Sequence, residues 1–163
     1  MSLAVTTPVQ IAWVTTDLDA SETALTGLLG AKKWIRLPGI AFGPDSCTYR
    51  GRPADFIADI ALSYAGDLQL ELIAPVSGEN IYTEFLREHG AGLHHMCVET
   101  DDIAASLNNA AEHGAEVVLR GVMPGGMEFA YISAPDAGVP YIEIAQFTPE
   151  IRQFFDYIKR EQG

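Results

Sequence analysis

Gly92-Leu93-His94-His95-Met96-Cys97-Val98-Glu99-Thr100-Asp101-Asp102-Ile103 is the stretch from which the rest of the chain can be interpreted. It is an apolar segment with the alternation of a strand, and it leads directly into an aspartate that can cap a helix. A fainter copy, Gln10-Ile11-Ala12-Trp13-Val14-Thr15-Thr16-Asp17-Leu18, aligns on His95 to Ile103 without a gap. Gln10 then corresponds to His95, and Asp17 to Asp102. Such self-similarity predicts one module written twice.

A second repeated motif lies at the end of each copy. Leu70-Glu71-Leu72-Ile73 and Ile142-Glu143-Ile144-Ala145 each place one acid among aliphatic side chains. Between its opening and closing strands, each copy has a helical segment ended by glycine, at Gly30 or Gly114, followed by further strand segments. The pattern predicts an α+β fold in which two paired βαβββ modules form a curved mixed sheet around a central cleft.

We expect a single domain over residues 8–147, with module one at about 8–75, a connector helix in 76–91 and module two at about 92–147. Pro75-Val76-Ser77-Gly78 is expected to break the sheet before the connector. Residues 148–163 form a C-terminal helix that starts at Thr148-Pro149-Glu150, a favourable capping sequence. The apolar stripe of this helix must dock on the body of the protein or on a partner. Its members are Ile151, Phe154, Phe155 and Ile158. The first helix has a comparable apolar face formed by Leu18, Leu25, Leu28 and Leu29.

Composition limits the function classes. The 163 residues include 22 acids and 10 bases, so the net charge of −12 argues against nucleic acid and an anionic membrane surface as partners. No apolar run has the length of a membrane span. Cys47 and Cys97 are isolated, without a CxxC spacing or a secretory leader, and this predicts a reducing cytoplasmic location.

The repeat also has a chemical consequence. If the modules pair about a pseudo-twofold axis, Gln10 and Glu71 from one module meet His95 and Glu143 from the other. Two carboxylates, one imidazole and one amide oxygen suit a divalent cation such as Zn, Ni, Co, Mn or Fe. A cation would also account for Glu71 and Glu143 in otherwise apolar strands, because an unpaired charge is costly to bury.

The two-module pattern, with Gly92 to Met96 running into Val98 to Ile103, resembles the vicinal oxygen chelate superfamily of glyoxalases, bleomycin-resistance proteins and extradiol dioxygenases. The resemblance covers about Pro8 to Phe147, and the run from Phe85 to His95 is similar to the methylmalonyl-CoA epimerase branch. It implies metal ligands at four positions, which are Gln10, Glu71, His95 and Glu143. Epimerases have histidine at the first of these positions and commonly glutamine at the second, so this chain departs from them at both.

The resemblance implies proton abstraction next to a carbonyl, with the metal as Lewis acid and a nearby carboxylate as base. We expect Glu143 to be that base and Glu71 to be its counterpart on the opposite face. The expected activity is that of a metal-dependent isomerase, epimerase or lyase, with an acyl-CoA among the candidate substrates. Epimerases place a further glutamate just before the third strand, where this chain offers only Ala54-Asp55 or Asp59.

Two alternatives remain open. The Gln/Glu/His/Glu order resembles the zinc set of animal-type glyoxalase I, although Val14 and Pro75 stand where those enzymes hold glutathione with arginine and asparagine. The second alternative is a metal-free protein of the bleomycin-resistance type, which only sequesters a small molecule. An extradiol dioxygenase is disfavoured because Gln10 occupies the position of an iron-binding histidine.

The expected partners are a small-molecule substrate and a second copy of the chain in a homodimer, which the stripe of the last helix would support. The stretch from Lys32 to Asp55 holds five of the ten bases and is a candidate to receive a CoA phosphate or a substrate carboxylate. Solvated loops are the more common explanation for such a run. The five basic residues are Lys32, Lys33, Arg36, Arg50 and Arg52.

Overall fold

A computed structural model of the protein describes residues 7–163. The strands are β1 (Thr7–Val14), β2 (Ile35–Phe42), β3 (Cys47–Tyr49), β4 (Arg52–Pro53), β5 (Phe56–Ala65), β6 (Leu68–Ser77), β7 (Gly92–Glu99), β8 (Val117–Val122), β9 (Glu128–Ser133) and β10 (Tyr141–Gln146). The helices are α1 (Leu18–Leu29), α2 (Ile81–His89), α3 (Ile103–Glu112) and α4 (Pro149–Arg160). Within the described range, no helix combines the length and apolarity needed to cross a bilayer.

All ten strands form one sheet in the order β2-β5-β6-β1-β7-β10-β9-β8-β3-β4. The order is nearly symmetric about the antiparallel pair β1 and β7. On either side of that pair, β6 runs parallel to β1 and β10 runs parallel to β7, and the outer pairs are antiparallel. This mixed sheet, in which the two modules are related by a pseudo-twofold axis, confirms the predicted α+β fold with two paired βαβββ modules.

The turn from first strand to helix is the same in both modules. Asp17 caps α1 by accepting from Ala20 N at 3.1 Å, and Asp102 caps α3 by accepting from Ala105 N at the same distance. A threonine two residues before each aspartate shares a hydrogen bond with a serine in the helix. These pairs are Thr15 with Ser21 at 2.7 Å and Thr100 with Ser106 at 2.6 Å. The sequence repeat is therefore also a repeat of hydrogen bonds.

The two helices differ in how deeply they pack. Helix α3 buries four side chains against the outer face of its module, and they are Ile103, Ser106, Leu107 and Ala110. Helix α1 has no buried residue. Leu28 of its apolar face is 80% exposed and Leu29 is 47% exposed. Apolar spacing was therefore a poor guide for α1, because periodicity gives the direction of a face and not its depth.

Strand β6 continues through Pro75 to Ser77, so the predicted break in the sheet at Pro75 is wrong. Proline has no amide hydrogen to donate. Ala58 of β5 lies opposite Pro75 and Ile57 lies opposite Ser77, so Val76 is an extra residue in β6 just after the proline, and the pairing resumes beyond it. The connector helix α2 begins four residues later, at Ile81, and is capped by Asn80.

Strands β3 and β4 lie apart from the other strands of module one. They form a small hairpin on the far edge of module two, where Cys47 lies opposite Gly121 of β8. A side chain at Gly121 would collide with Cys47 Sγ. The segment between the first helix and the third long strand of module one thus crosses the cleft and joins the two modules.

Helix α4 lies across the open side of the sheet. Ile158 is fully buried, and Ile151, Phe154 and Phe155 pack against the core that fills the concave face. Gln162 Oε1 accepts from the backbone amides of Lys32 and Lys33 at 2.9 and 3.0 Å. The stripe therefore docks on its own chain, which removes the only sequence feature that supported a homodimer. The homodimer stays a prediction.

Candidate metal centre and its cavity

The four adjacent central strands β6, β1, β7 and β10 each direct one polar side chain to the same point of the concave face. These side chains are Glu71, Gln10, His95 and Glu143, respectively. All four predicted site residues are brought together, as the pseudo-twofold arrangement required. Their role as metal ligands stays a prediction.

His95 Nε2 is the centre of the group. It lies 3.4 Å from Glu71 Oε1, 3.4 Å from Glu143 Oε1 and 3.3 Å from Gln10 Oε1. One ligand atom each from Glu71, His95 and Glu143 falls within 4.8 Å of the others. The near-equal distances reflect the symmetry of the strands that carry them.

Gln10 is held in a defined orientation by Gln69, which sequence reasoning missed. Gln10 Nε2 donates to Gln69 Oε1 at 2.5 Å, and Gln69 Nε2 donates to the Tyr64 hydroxyl at 3.2 Å. With its amino group engaged, Gln10 presents its carbonyl oxygen to His95. Gln10 and Gln69 lie opposite each other across β1 and β6, so the contact depends on strand pairing that the sequence does not reveal.

Regular alternation along β7 predicts that His94 faces away from His95, and this prediction is wrong. Ala12 lies opposite His95 while Trp13 lies opposite Leu93, so His94 is an extra residue in its strand. Such a bulge breaks the alternation of side chains and redirects one of them. His94 Nδ1 consequently lies 2.8 Å from His95 Nδ1.

The contact between the histidines determines which nitrogen of His95 faces the carboxylates. Burial lowers the pKa of His94 well below its usual value, which keeps this imidazole neutral and able to accept. His95 can then donate from Nδ1 and leave Nε2 toward Glu71 and Glu143. Partners of this kind fix the tautomer of metal-binding histidines. Aromatic rings enclose His94, and they belong to Tyr82, Phe85, Tyr131 and Tyr141.

Tyr131 adds a hydroxyl to the centre. It lies opposite Glu143 in the sheet, and its oxygen is 3.5 Å from His95 Nε2 and 2.7 Å from the Tyr82 hydroxyl. Burial raises the pKa of Tyr131 well above its usual value, so the group remains a neutral phenol. Its symmetry counterpart opposite Glu71 is Leu62, which has no polar group.

The charges at the centre perturb one another strongly. Burial alone would lower the pKa of His95, but hydrogen bonds and charge attraction from Glu143 and Glu71 outweigh it and raise the pKa to about 9. Burial raises the pKa of Glu71, and the neighbouring Glu143 charge acts in the same direction. Without a further cation, the centre therefore retains a proton on His95 at neutral pH.

The residues present fit a divalent metal ion. The contact of the buried Glu71 Oε1 with His95 Nε2 is long, at 3.4 Å, and falls short of a well-formed hydrogen bond. His95 is shared between Glu71 and Glu143, so a net negative charge stays buried, which is costly unless a further cation balances it. The donor set combines carboxylate, imidazole and amide oxygen, as Zn, Mn, Fe, Co and Ni sites do. Buried carboxylates next to an imidazole also occur in purely structural ion pairs, but these seldom leave a carboxylate oxygen without a well-formed hydrogen bond.

A cavity of about 240 Å³ opens next to the centre. Gln10, Glu71 and Glu143 reach it from the central strands, and Tyr82 and Tyr131 add two hydroxyls. The remaining wall is mostly aliphatic and aromatic, with helix α4 as its roof. The predicted cleft between the modules thus exists and is closed on one side by the last helix.

Other residues singled out in the sequence lie outside the cavity. Asp55 is exposed, and Asp59 accepts a hydrogen bond from Gly39 N at 2.8 Å, so neither supplies the further acid that the epimerase resemblance implied. Cys97 does line the cavity, but burial raises the pKa of its thiol well above the usual value, which disfavours a nucleophile. Val14 is fully buried in the core.

Three of the five basic residues between Lys32 and Arg52 are engaged within the chain. Lys33 pairs with Glu161 at 2.7 Å. Arg36 pairs with Asp19 and Glu22, and Arg50 with Glu84. This stretch contributes Leu37 and Ile40 to the cavity wall instead of a cation.

The chain matches a known protein family. The model of the glyoxalase/bleomycin resistance protein/dioxygenase superfamily matches residues 9–131. An uncharacterized protein of Bacillus subtilis (strain 168), YqjC, is 26% identical over 90 residues. That match covers 54% of this chain and 64% of YqjC, so it spans less than two thirds of the relative.

Solved structures show the same fold. Methylmalonyl-CoA epimerase from Mycobacterium tuberculosis superposes with a TM-score of 0.65 at 20% identity, covering 94% of this chain and 95% of the epimerase. A hypothetical protein from Bacillus halodurans gives 0.61 at 20% identity, with 88% and 95% covered. A Streptomyces coelicolor methylmalonyl-CoA epimerase variant in complex with 2-nitronate-propionyl-CoA gives 0.62 at 15% identity, with 90% and 97% covered.

Proposed function

Because the chain belongs to the glyoxalase/bleomycin resistance protein/dioxygenase superfamily, we propose that it is a metal-dependent enzyme that moves a proton on the carbon next to a carbonyl. Isomerase, epimerase and lyase reactions share this step. The proposal rests on one observation, the convergence beside a cavity of two carboxylates and an amide oxygen on a single imidazole, His95.

Gln10, Glu71, His95 and Glu143 would hold the ion, and Zn, Ni, Co, Mn and Fe all suit this donor set. A divalent ion bound there would supply a Lewis acid for the carbonyl oxygen of the substrate. The protein supplies the rest. Gln69 and His94 orient two of the four donors, and the apolar wall keeps water away from the reacting carbon.

Glu143 is the proposed base, with Glu71 as its counterpart on the opposite side. Both carboxylates reach the cavity from strands that are equivalent in the two modules. A base must lie within hydrogen-bond reach of the proton it removes. With Asp55 and Asp59 outside the cavity, these two glutamates are the acids available to exchange a proton with a substrate.

The test begins with metal content. Protein purified without chelator should carry, or take up, about one Zn, Ni, Co or Mn ion per chain. His95→Ala should take up none, and Glu143→Gln should bind more weakly while folding normally by circular dichroism. A wild-type chain that binds no ion in a titration with each metal would refute the proposal.

The chemistry is tested by solvent exchange. In D₂O the metal-loaded protein should incorporate deuterium next to the carbonyl of at least one compound in a panel of neutral ketones, 2-oxo acids and acyl-CoA thioesters. Glu143→Gln should lose this exchange while retaining measurable metal. If protein that binds metal exchanges deuterium into no class of compound, the proposed proton transfer is refuted and only metal binding remains.

A metal-free binding protein is the second candidate, and the wall of the cavity favours it. Most lining side chains are apolar, as in sites that sequester small hydrophobic molecules. The third acid expected from the epimerase resemblance is also not in the cavity. In this case a ligand would bind equally well before and after metal addition, and His95→Ala would leave its affinity unchanged. The glyoxalase I-like lyase has less support, because among the described residues no lysine or arginine lines the cavity to hold glutathione.

A further inference from the structure

The cavity beside the centre has a marked charge pattern. Two acids reach it, Glu71 and Glu143, and among the described residues neither lysine nor arginine lines it. The nearest basic stretch in sequence, Lys32 to Arg52, has its arginines at 36 and 50 bound to acids of the same chain. An anionic substrate group would therefore meet no lysine or arginine in the wall, and the protonated His95 is already paired with both carboxylates.

A bound divalent ion would not change this balance. The two carboxylates together carry the charge needed to neutralise it, and Gln10 and neutral His95 add none. No surplus positive charge would remain for a substrate carboxylate or phosphate. Buried charges require a partner, so the site selects against anions in both its metal-free and its loaded form.

The wall also favours a ring. Phe42, Phe129 and Phe147 line the cavity, and the roof helix adds Phe154 and Phe155. An apolar cavity of about 150 Å³ is enough to hold benzene. The volume of about 240 Å³ therefore leaves room for one ring together with a short carbonyl-bearing substituent.

We infer that the substrate is an uncharged, largely apolar carbonyl compound of about one ring, and not an anionic acyl-CoA or a glutathione adduct. This inference rests on the proposed function and narrows its substrate class. The hydroxyls of Tyr82 and Tyr131 are the neutral donors that can contact the carbonyl side of such a molecule. The apolar wall and the roof helix enclose the remainder.

Two isosteric probes separate charge from shape. 4-Nitroacetophenone and 4-acetylbenzoate are single-ring methyl ketones of nearly equal size, but only the second is an anion at neutral pH. Isothermal titration of the full chain, with and without zinc, should show the neutral ketone binding at least about tenfold tighter. Equal affinity, tighter binding of the anion, or no binding of the neutral ketone at its solubility limit would overturn the inference. Methylmalonyl-CoA as a third ligand should bind more weakly than the neutral ketone, and the reverse would also overturn it.

A charge-introducing pair of variants gives the converse test. Leu37 is half-buried in the cavity wall, and Leu37→Arg should strengthen binding of 4-acetylbenzoate by about tenfold. Leu28→Arg adds the same charge on the exposed face of α1 and should leave the affinity for both ligands unchanged. Failure of the proposed function can be distinguished from failure of this inference, because the metal titration tests the proposed function without any organic ligand. A protein that binds metal but prefers the anion would disprove only the substrate class.

Discussion

The two modules share a backbone plan but treat their polar residues differently. In module two, His95 is backed by His94 through a strand bulge, and Tyr131 stands beside Glu143. In module one, the equivalent amide of Gln10 is backed by Gln69. Leu62 occupies the position that corresponds to Tyr131. Duplication thus explains where the four donors lie. The surrounding residues differ, because module two places an imidazole and a phenol hydroxyl at the centre where module one places an amide and an aliphatic side chain.

Exchanging the two first-strand donors gives the largest expected effect. His95→Gln should weaken zinc binding by more than about 100-fold, because even residues that only orient a ligand are worth about 10–100-fold. Gln10→His should keep zinc affinity within about tenfold of wild type. Competition with a chromophoric chelator measures both. The double exchange should recover only part of the loss, since His94 supports the module-two position alone; full recovery would show that the modules are interchangeable.

The protonated His95 predicts a pH dependence in the metal-free protein. Its pKa of about 9 in the folded state exceeds the ordinary value of 6.5. The resulting stabilisation is complete below about pH 6.5 and is lost as pH rises through about 9, by on the order of 3 kcal/mol. Tm should fall by roughly 6–12 °C between those limits. His95→Gln should flatten this part of the profile, and an unchanged slope would contradict the assignment.

The unequal packing of the two helices predicts a smaller contrast. Leu107→Ala on α3 should lower the free energy of unfolding by about 2–3 kcal/mol, because it opens a cavity under a buried helix. Leu28→Ala on α1 should change it by less than about 0.5 kcal/mol. Urea denaturation of the two variants measures the difference. If Leu28→Ala proved equally damaging, its side chain would have to be covered in solution.

The smallest expected effect tests how Gln10 is held. Gln69→Leu keeps the side-chain volume similar but removes the acceptor for the Gln10 amide, so the carbonyl oxygen is free to turn away from His95. Zinc affinity should fall by about tenfold. Tyr64→Phe removes only the outer hydrogen bond to Gln69 and should have a lesser effect. No change with Gln69→Leu would indicate that Gln10 contributes little to the centre.

Much of this arrangement could be predicted from the sequence because the modules repeat. The correspondence of Gln10 with His95 and of Glu71 with Glu143 predicted both the paired fold and the four side chains that converge. Local capping chemistry placed Asp102 and Thr148 correctly at helix starts and limited the cap of α1 to Asp17 or Asp19, of which the structure has Asp17. These signals are local or periodic, and so they survive in a single sequence.

The remainder depends on distant contacts. A bulge at His94 cannot be inferred from alternation, which it interrupts. Gln69 and Tyr131 gain meaning only from the strands they lie beside. The exposure of Leu28 and the passage of β6 through Pro75 follow from how neighbouring strands and helices pack. Spacing along the chain gives no access to these relations.

Helix α4 has one more consequence, and it concerns stereochemistry. A centre built from two equivalent modules offers near-identical carboxylates to the two faces of a flat molecule. Within residues 7–163 the roof is formed once, by Pro149–Arg160, and no second copy of it lines the cavity. It therefore adds a further asymmetry to the difference between Tyr131 and Leu62, so that a planar ligand would meet different surroundings on its two faces. The unrepeated helix would then contribute to the handedness of any product.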